Sequence, residues 1–366
     1  MIMLNKILDF TGGKKFYRFG NADGKYWIMP MRSMRTAMNL YQPSGIKGKM
    51  LKDLLPLLHW LPPVRKAIHA EQMRCSLKKE LHTLLCKVFG VKDIEFSIFE
   101  GTPSASQKMI LQISCRKRLL GYCKVSDRAY IFELFKKEAE DLNWLKMKGI
   151  KGIPETLFCS EHSGLYIFIQ ATNKSASSKT LHKLTAMHTD FLNHLHKATT
   201  TEIPYIDSNF FLDIQYLKSI LDNIPKEDRP IFKRGIEHIE NHYRKEKIHP
   251  FSFFHGDFTP WNMYIEDKQL QVFDFEFSAR TFPPRMDLVH YFLQILILEK
   301  KQKAEDIHPE LEKFKKEHNI NSTLTICYLM HILSFYFRLY NGSFNTNDNG
   351  YIIWCTLLRM QLNITR

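Results

Sequence analysis

The apolar positions divide the chain into three stretches of different character. Residues 93–170 carry short β-type runs at Asp93–Glu100, Met109–Ser114, Gly121–Val125, Leu157–Cys159 and Leu165–Gln170. A small-residue segment, Gly101–Ser106, and a basic turn, Arg116–Leu120, separate the first three. Over Ile131–Lys148 the period changes. Phe132, Phe135, Ala139, Leu142 and Leu145 recur at three- and four-residue spacing, which is one apolar face of a helix. Gly149 and Gly152 close it. The pattern predicts a five-stranded antiparallel sheet with one inserted helix.

A polar linker, Ala171–Lys179, follows, and from Leu181 the pattern is helical except over Phe251–Phe277. The most apolar stretch, Leu324 to Tyr340, carries His331 and Arg338. A spanning helix needs about 20 mostly apolar residues, so a buried core helix is expected instead. Upstream, Phe16–Phe19 and Tyr26–Met29 read as short strands. Leu51–Leu61 reads as a helix ended by Pro62-Pro63, and helical spacing continues through Val64–Val88.

Charge changes the picture at one end only. The chain carries a formal +14, and residues 1–90 contribute +11 of it, with 16 Lys/Arg against 5 Asp/Glu. Two readings are open: a solvated basic face, or a surface for an anionic partner such as phospholipid headgroups or an acidic glycan. Specific nucleic-acid binding is not expected, because no recognition motif accompanies the charge. Seven scattered Cys without a CxxC pair point to reduced thiols in a cytoplasmic protein, not to disulfides or zinc. His182, His188, His194 and His196 lack a ligand set at metal spacing and read as helix-surface residues.

The chemistry concentrates in two segments. His255-Gly256-Asp257-Phe258-Thr259-Pro260-Trp261-Asn262 is followed, twelve residues after Asn262, by Phe273-Asp274-Phe275-Glu276. A hairpin is predicted between them, with strands Met263–Glu266 and Leu270–Phe273 around Asp267-Lys268. In this order and spacing the segments resemble the catalytic loop and metal-binding segment of the aminoglycoside phosphotransferase and choline kinase family. The second is equivalent to the DFG segment of protein kinases.

The resemblance implies an α+β, two-lobed protein-kinase-like fold. Residues 1–90 would be a basic N-terminal extension, 91–172 the nucleotide-binding N-lobe, and 173–366 a mainly helical C-lobe. It implies ATP (or GTP) and Mg²⁺ as cofactors and a hydroxyl on a small molecule or glycan as acceptor. Asp257 would orient the hydroxyl and take its proton. Asn262, Asp274 and Glu276 would serve the metal, since hard oxygen ligands suit Mg²⁺. Asp287 would brace the catalytic loop. A kinase also needs a strand lysine paired with a helix glutamate. Lys124 and Glu138 fit, with Glu140 as the alternative partner. Gly101 and Ser104 fall where a phosphate-covering loop belongs, although that loop has one glycine. Gln170 and Thr172 fall where backbone groups would meet the base of the nucleotide.

Within that family the basic charge favours a neutral or anionic acceptor, such as a sugar in surface polysaccharide or a lipid-linked glycan. Trp261, Tyr291, Phe292, Tyr336, Tyr340 and Trp354 are candidate stacking residues, most of them expected in the core. A nucleotide-binding pseudokinase without turnover is the alternative function. The run Leu51–Leu61 leaves two places open: against the N-lobe sheet, or in the interface of an anionic membrane.

Overall fold

The computed structural model describes residues 2–42, 46–102, 107–340 and 348–364. The chain forms two compact units, each built from separated segments. The first comprises Met1–Met147, Gly152–Lys179 and Tyr264–Glu276. The second comprises Lys148–Lys151, Thr180–Met263 and Phe277–Arg366.

The first unit is organised by an antiparallel sheet of eight strands. They are β1 (Leu8–Gly20), β2 (Tyr26–Pro30), β3 (Glu71–Leu77), β4 (Glu95–Phe99), β5 (Met109–Cys115), β6 (Arg118–Ser126), β7 (Thr156–His162) and β8 (Leu165–Ala171), in the spatial order β3-β1-β2-β4-β5-β6-β8-β7. The five strands expected between residues 93 and 170 are all present. The other three come from residues 1–90, so the sheet has eight strands rather than five. The helical reading of Val64–Val88 is corrected in part. Short helices occupy Pro62–Ala67 and Lys79–Phe89, but Glu71–Leu77 is a strand. Its inward positions, Met73, Cys75 and Leu77, alternate at period two, and pairing with β1 makes that alternation decisive. The turn expected at Arg116–Leu120 is tighter than predicted. Arg116 and Lys117 both take positive φ, the geometry of a two-residue hairpin turn, and β6 begins at once.

Helix Ala129–Met147 packs on this sheet through Ile131, Phe135, Ala139, Leu142 and Leu145. Glu138 lies in the same buried stripe, a carboxylate where the pattern calls for an apolar residue. One apolar cluster joins Leu4, Ile7, Leu8, Phe16 and Cys75 to Ile98, Leu111, Cys123 and Ile167, so the early strands and the later ones share a core. Gly121 on β6 is needed for close packing, because a Cβ there would meet the Gln170 carbonyl oxygen at 2.1 Å.

The second unit is mainly helical. Its helices include Ala186–Thr199, Asn209–Ser219, Arg229–Tyr243, Met286–Gln294, Ala304–Glu317, Ser322–Leu339 and Asn349–Gln361. A small sheet accompanies them, with β9 (Thr201–Ile203), β10 (His249–Phe254) and β13 (Ala279–Phe282) in the order β13-β10-β9. The remaining strands, β11 (Met263–Glu266) and β12 (Gln269–Val272), form the predicted hairpin, which from Tyr264 on belongs to the first unit. Asp267 and Lys268 take positive φ, as a two-residue turn of this hand requires. Residues Thr325–Ser334 of helix Ser322–Leu339 are buried throughout, as expected of a core helix. Among the described residues no helix is long and apolar enough to cross a membrane.

Candidate functional site

In the first unit the Lys124 ammonium on β6 donates to both Glu138 oxygens, at 2.6 and 2.9 Å, and to Asp274 Oδ1 at 2.7 Å. Glu138 is wholly buried, and its Oε1 also accepts from Gln170 Nε2 at 3.0 Å. Burial alone would lower the Lys124 pKa, yet Asp274 and Glu138 outweigh it and hold the ammonium above its ordinary value. Glu140, one position past the buried stripe, is exposed. The pair is therefore Lys124–Glu138.

Asp274 ends the stretch after β12 with φ +68, a left-handed backbone rarely taken by residues other than glycine. Glu276 pairs with Lys108. Burial and the neighbouring Asp274 both push the Glu276 carboxyl above its ordinary range. Two carboxylates crowded in this way suit a divalent cation. Among the described residues no three His, Cys, Asp or Glu side chains gather closely enough to hold a metal by themselves.

Gln170 and Thr172 are bound up in the scaffold of this unit. The Gln170 side chain supports Glu138, and the Thr172 N–H donates to Leu120 O at 3.1 Å. Thr172 Oγ1 lies 2.9 Å from the Tyr264 hydroxyl, which donates to Asn173 Oδ1 at 2.6 Å. Gly101 follows β4 with φ +88, and Ser104 lies outside the described residues.

The second unit holds the segment His255–Asn262, and its bracing is dense. Asp287 accepts the backbone N–H groups of His255, at 2.9 Å, and Gly256, at 3.2 Å. The Asp257 N–H donates to His255 Nδ1 at 3.2 Å. Asn262 Nδ2 donates to Asp257 Oδ2 at 2.7 Å and to the Asp257 carbonyl at 3.0 Å. That commits the Asn262 amide nitrogen and leaves the amide oxygen as the atom a metal could use. Gly256 has φ +85, and a Cβ there would stand 2.3 Å from the Phe277 carbonyl oxygen. No other residue fits this turn without a backbone shift.

Burial pushes the Asp287 carboxyl up to about 7, against the two N–H donors that pull it down. His290 Nε2 lies 3.2 Å from Asp257 Oδ1, and its Nδ1 lies 3.2 Å from the Tyr328 hydroxyl. Tyr291 and Trp354 are buried, and Phe292 stacks on Phe314 with ring centroids 4.0 Å apart, so these three belong to the core. Tyr336 packs against Tyr340 and Trp354.

Three residues here escape sequence reading. Lys108 stands in a loop with no pattern around it. Tyr264 looks like one more hairpin aromatic. His290 lies three residues past Asp287, and its one signal is that spacing, a helical turn that puts both on one face.

The fold has relatives among solved structures. A variant of the aminoglycoside phosphotransferase APH(4)-Ia, in ternary complex with AMP-PNP and hygromycin B, superposes with a TM-score of 0.53 at 12% identity, covering 78% of this chain and 100% of that one. Its ternary complex with ADP and hygromycin B gives 0.52 at 12% identity, over 78% and 98%. The fold is that of an aminoglycoside phosphotransferase. A further APH(4)-Ia structure gives 0.52 at 10% identity, over 78% and 98%. No protein-family model matches the sequence, and no curated protein matches it. The aminoglycoside phosphotransferase fold thus persists here at an identity where whole-chain sequence similarity has faded.

Proposed function

We propose that this chain is an ATP- and Mg²⁺-dependent phosphotransferase acting on a hydroxyl of a small molecule or glycan. The observation that carries the reading is the buried Lys124, held by Glu138 and Asp274. A buried strand lysine shared between a buried helix carboxylate and a second, partly exposed carboxylate is an arrangement suited to phosphate chemistry. Structures of similar fold hold ADP or AMP-PNP together with hygromycin B, which supports a nucleotide and a small acceptor.

Bound Mg²⁺-nucleotide would supply the phosphoryl group and neutralise its charge. The protein's contribution is positioning and electrostatics. Lys124, fixed by Glu138, presents its ammonium toward phosphate oxygens. Asp274 and Glu276 present hard oxygens to the metal, and Asn262 offers its amide oxygen. Asp257, held by Asn262 and His290, orients the acceptor hydroxyl and takes its proton at the carboxylate. Asp287 fixes the loop through two backbone N–H groups. The basic balance of the chain favours a neutral or anionic sugar, as in surface polysaccharide or a lipid-linked glycan.

Thermal unfolding with and without ATP and Mg²⁺ tests the nucleotide site, since a ligand that binds only the folded state stabilises it. Asp274→Ala is expected to abolish the Mg²⁺-dependent part of the shift. An unchanged shift removes Asp274 from the metal site. Turnover against a panel of sugars and amino alcohols then separates an enzyme from a nucleotide-binding protein without activity.

A further inference from the structure

The helix Ile46–Leu58 has two apolar faces, and only one is covered. Leu55 is buried in a cluster with Tyr17, Phe19, Trp27, Met29 and Met38, and Leu51 packs against the same cluster. On the other side Met50, Leu54 and Leu57 are 56%, 44% and 57% exposed, and Trp60 is 64% exposed. The spacing 50, 54, 57 is one helical stripe, and Trp60 extends it beyond the helix end. The Trp60 indole is pinned there, donating to the Leu57 carbonyl at 2.9 Å. Single exposed apolar residues are ordinary, whereas a contiguous patch marks an interaction surface. Four of the fourteen exposed large hydrophobics among the described residues fall within residues 50–60.

The stripe is flanked by more positive than negative charge, with one exposed carboxylate, Asp53, beside Leu54. Lys49 is exposed on the same helix, and Arg65 and Lys66 stand on the next one. Arg65, Lys66, His69, Ala70, Glu71 and Gln72 line a shallow hollow of about 520 Å³, so one carboxylate stands among its basic groups. The whole segment 1–90 carries +11.

We propose that this face docks on the surface of an anionic lipid bilayer. Met50, Leu54, Leu57 and Trp60 enter the headgroup boundary, and Lys49, Arg65 and Lys66 meet lipid phosphates. The composition is that of an interfacial helix: an apolar stripe with Trp, basic residues beside it, and too little length to span. A second copy of the chain fits poorly, because it sets +11 against +11. An acidic polymer explains the lysines and arginine but leaves the leucines uncovered. The inference is independent of catalysis; it would keep the protein beside lipid-linked acceptors.

Flotation of the full-length protein with phosphatidylcholine vesicles, with and without about a quarter phosphatidylglycerol, tests it. Binding is expected to the anionic vesicles and to weaken as salt rises. The double variant Leu57→Glu/Trp60→Ser is expected to lose about tenfold or more. Arg65→Glu/Lys66→Glu is expected to lose at least about 25-fold, roughly fivefold per basic side chain. Leu212→Ser, at an exposed leucine of the second unit, is expected to bind as the parent does. All these side chains are surface ones, so unchanged circular dichroism confirms folding. Absence of binding at low salt overturns the proposal. So does binding that survives Leu57→Glu/Trp60→Ser, which would mean simple adsorption of charge. Concentration-dependent self-association abolished by the same variant would assign the face to a second copy instead.

Discussion

Removal of the Lys124 ammonium is the sharpest test of the buried charge cluster. Lys124→Met keeps the length of the side chain and deletes its charge. Glu138, with no exposed surface, is left with the Gln170 amide as its remaining named donor, and Asp274 loses the ammonium 2.7 Å away. Breaking a buried pair from one side costs about 3–5 kcal/mol, and the surviving Gln170 contact places this case near ~3 kcal/mol. The opposite change is milder. Glu138→Leu leaves the buried Lys124 still paired with Asp274, so about 1–2 kcal/mol is expected. The double variant has no stranded carboxylate at Glu138 and should cost no more than Lys124→Met alone, a coupling of about 1–2 kcal/mol. Urea unfolding followed by tryptophan fluorescence reads this, since Trp27, Trp60 and Trp144 all lie in the first unit. Costs that add fully, or a Lys124→Met cost below about 1 kcal/mol, would refute the reasoning that the lysine is held for charge neutralisation in a dry site.

Asp257→Asn is expected to keep nucleotide-induced stabilisation and to cut turnover by roughly 10²–10⁴, the usual contribution of a positioned base; undiminished turnover would displace Asp257 from that role. Gly256→Ala should destabilise the second unit by about 2–3 kcal/mol, because positive φ and a contact on Phe277 O act together; a neutral effect in thermal melts would show that the loop can move. For Asp287 the folded carboxyl is raised to about 7 from an ordinary value near 4. Between those values the folded chain holds a proton that the unfolded chain has released, so this group's share of stability falls as pH rises from about 4 to about 7. Asp287→Asn should flatten that part of the stability profile, and an identical slope in parent and variant would place the carboxyl pKa elsewhere.

The two motif segments can be picked out in the sequence because their signal is local. His255 to Asn262 and Phe273 to Glu276 are short runs with readable residue types and spacing, and the hairpin between them is set by its own turn. Glu138 reads in the sequence as the partner of Lys124 with Glu140 as the alternative, and burial of the one and exposure of the other decide between them. What the pattern hid depends on distant partners. Glu71–Leu77 becomes a strand because β1 pairs with it from more than fifty residues away. The alternation of Met73, Cys75 and Leu77 is too short to outweigh helical spacing on both sides. Lys108 and Tyr264 likewise take their meaning from partners remote in sequence, Glu276 and Thr172.

The three early strands bear on how the chain can be shortened. β4 pairs with β2 through Trp27–Phe99 and Ile28–Ile98. The Glu100 N–H then donates to Tyr26 O at 2.9 Å, and Arg18 Nε holds the Glu100 carboxylate at 2.6 Å. The root of the segment that begins at Gly101 is therefore anchored in residues 18–26. A version beginning near residue 90 would leave β4 as a bare edge with Phe96 and Ile98 stripped of cover, open to strand pairing between molecules. The smallest piece of this protein that can be handled as a soluble unit includes its first strands.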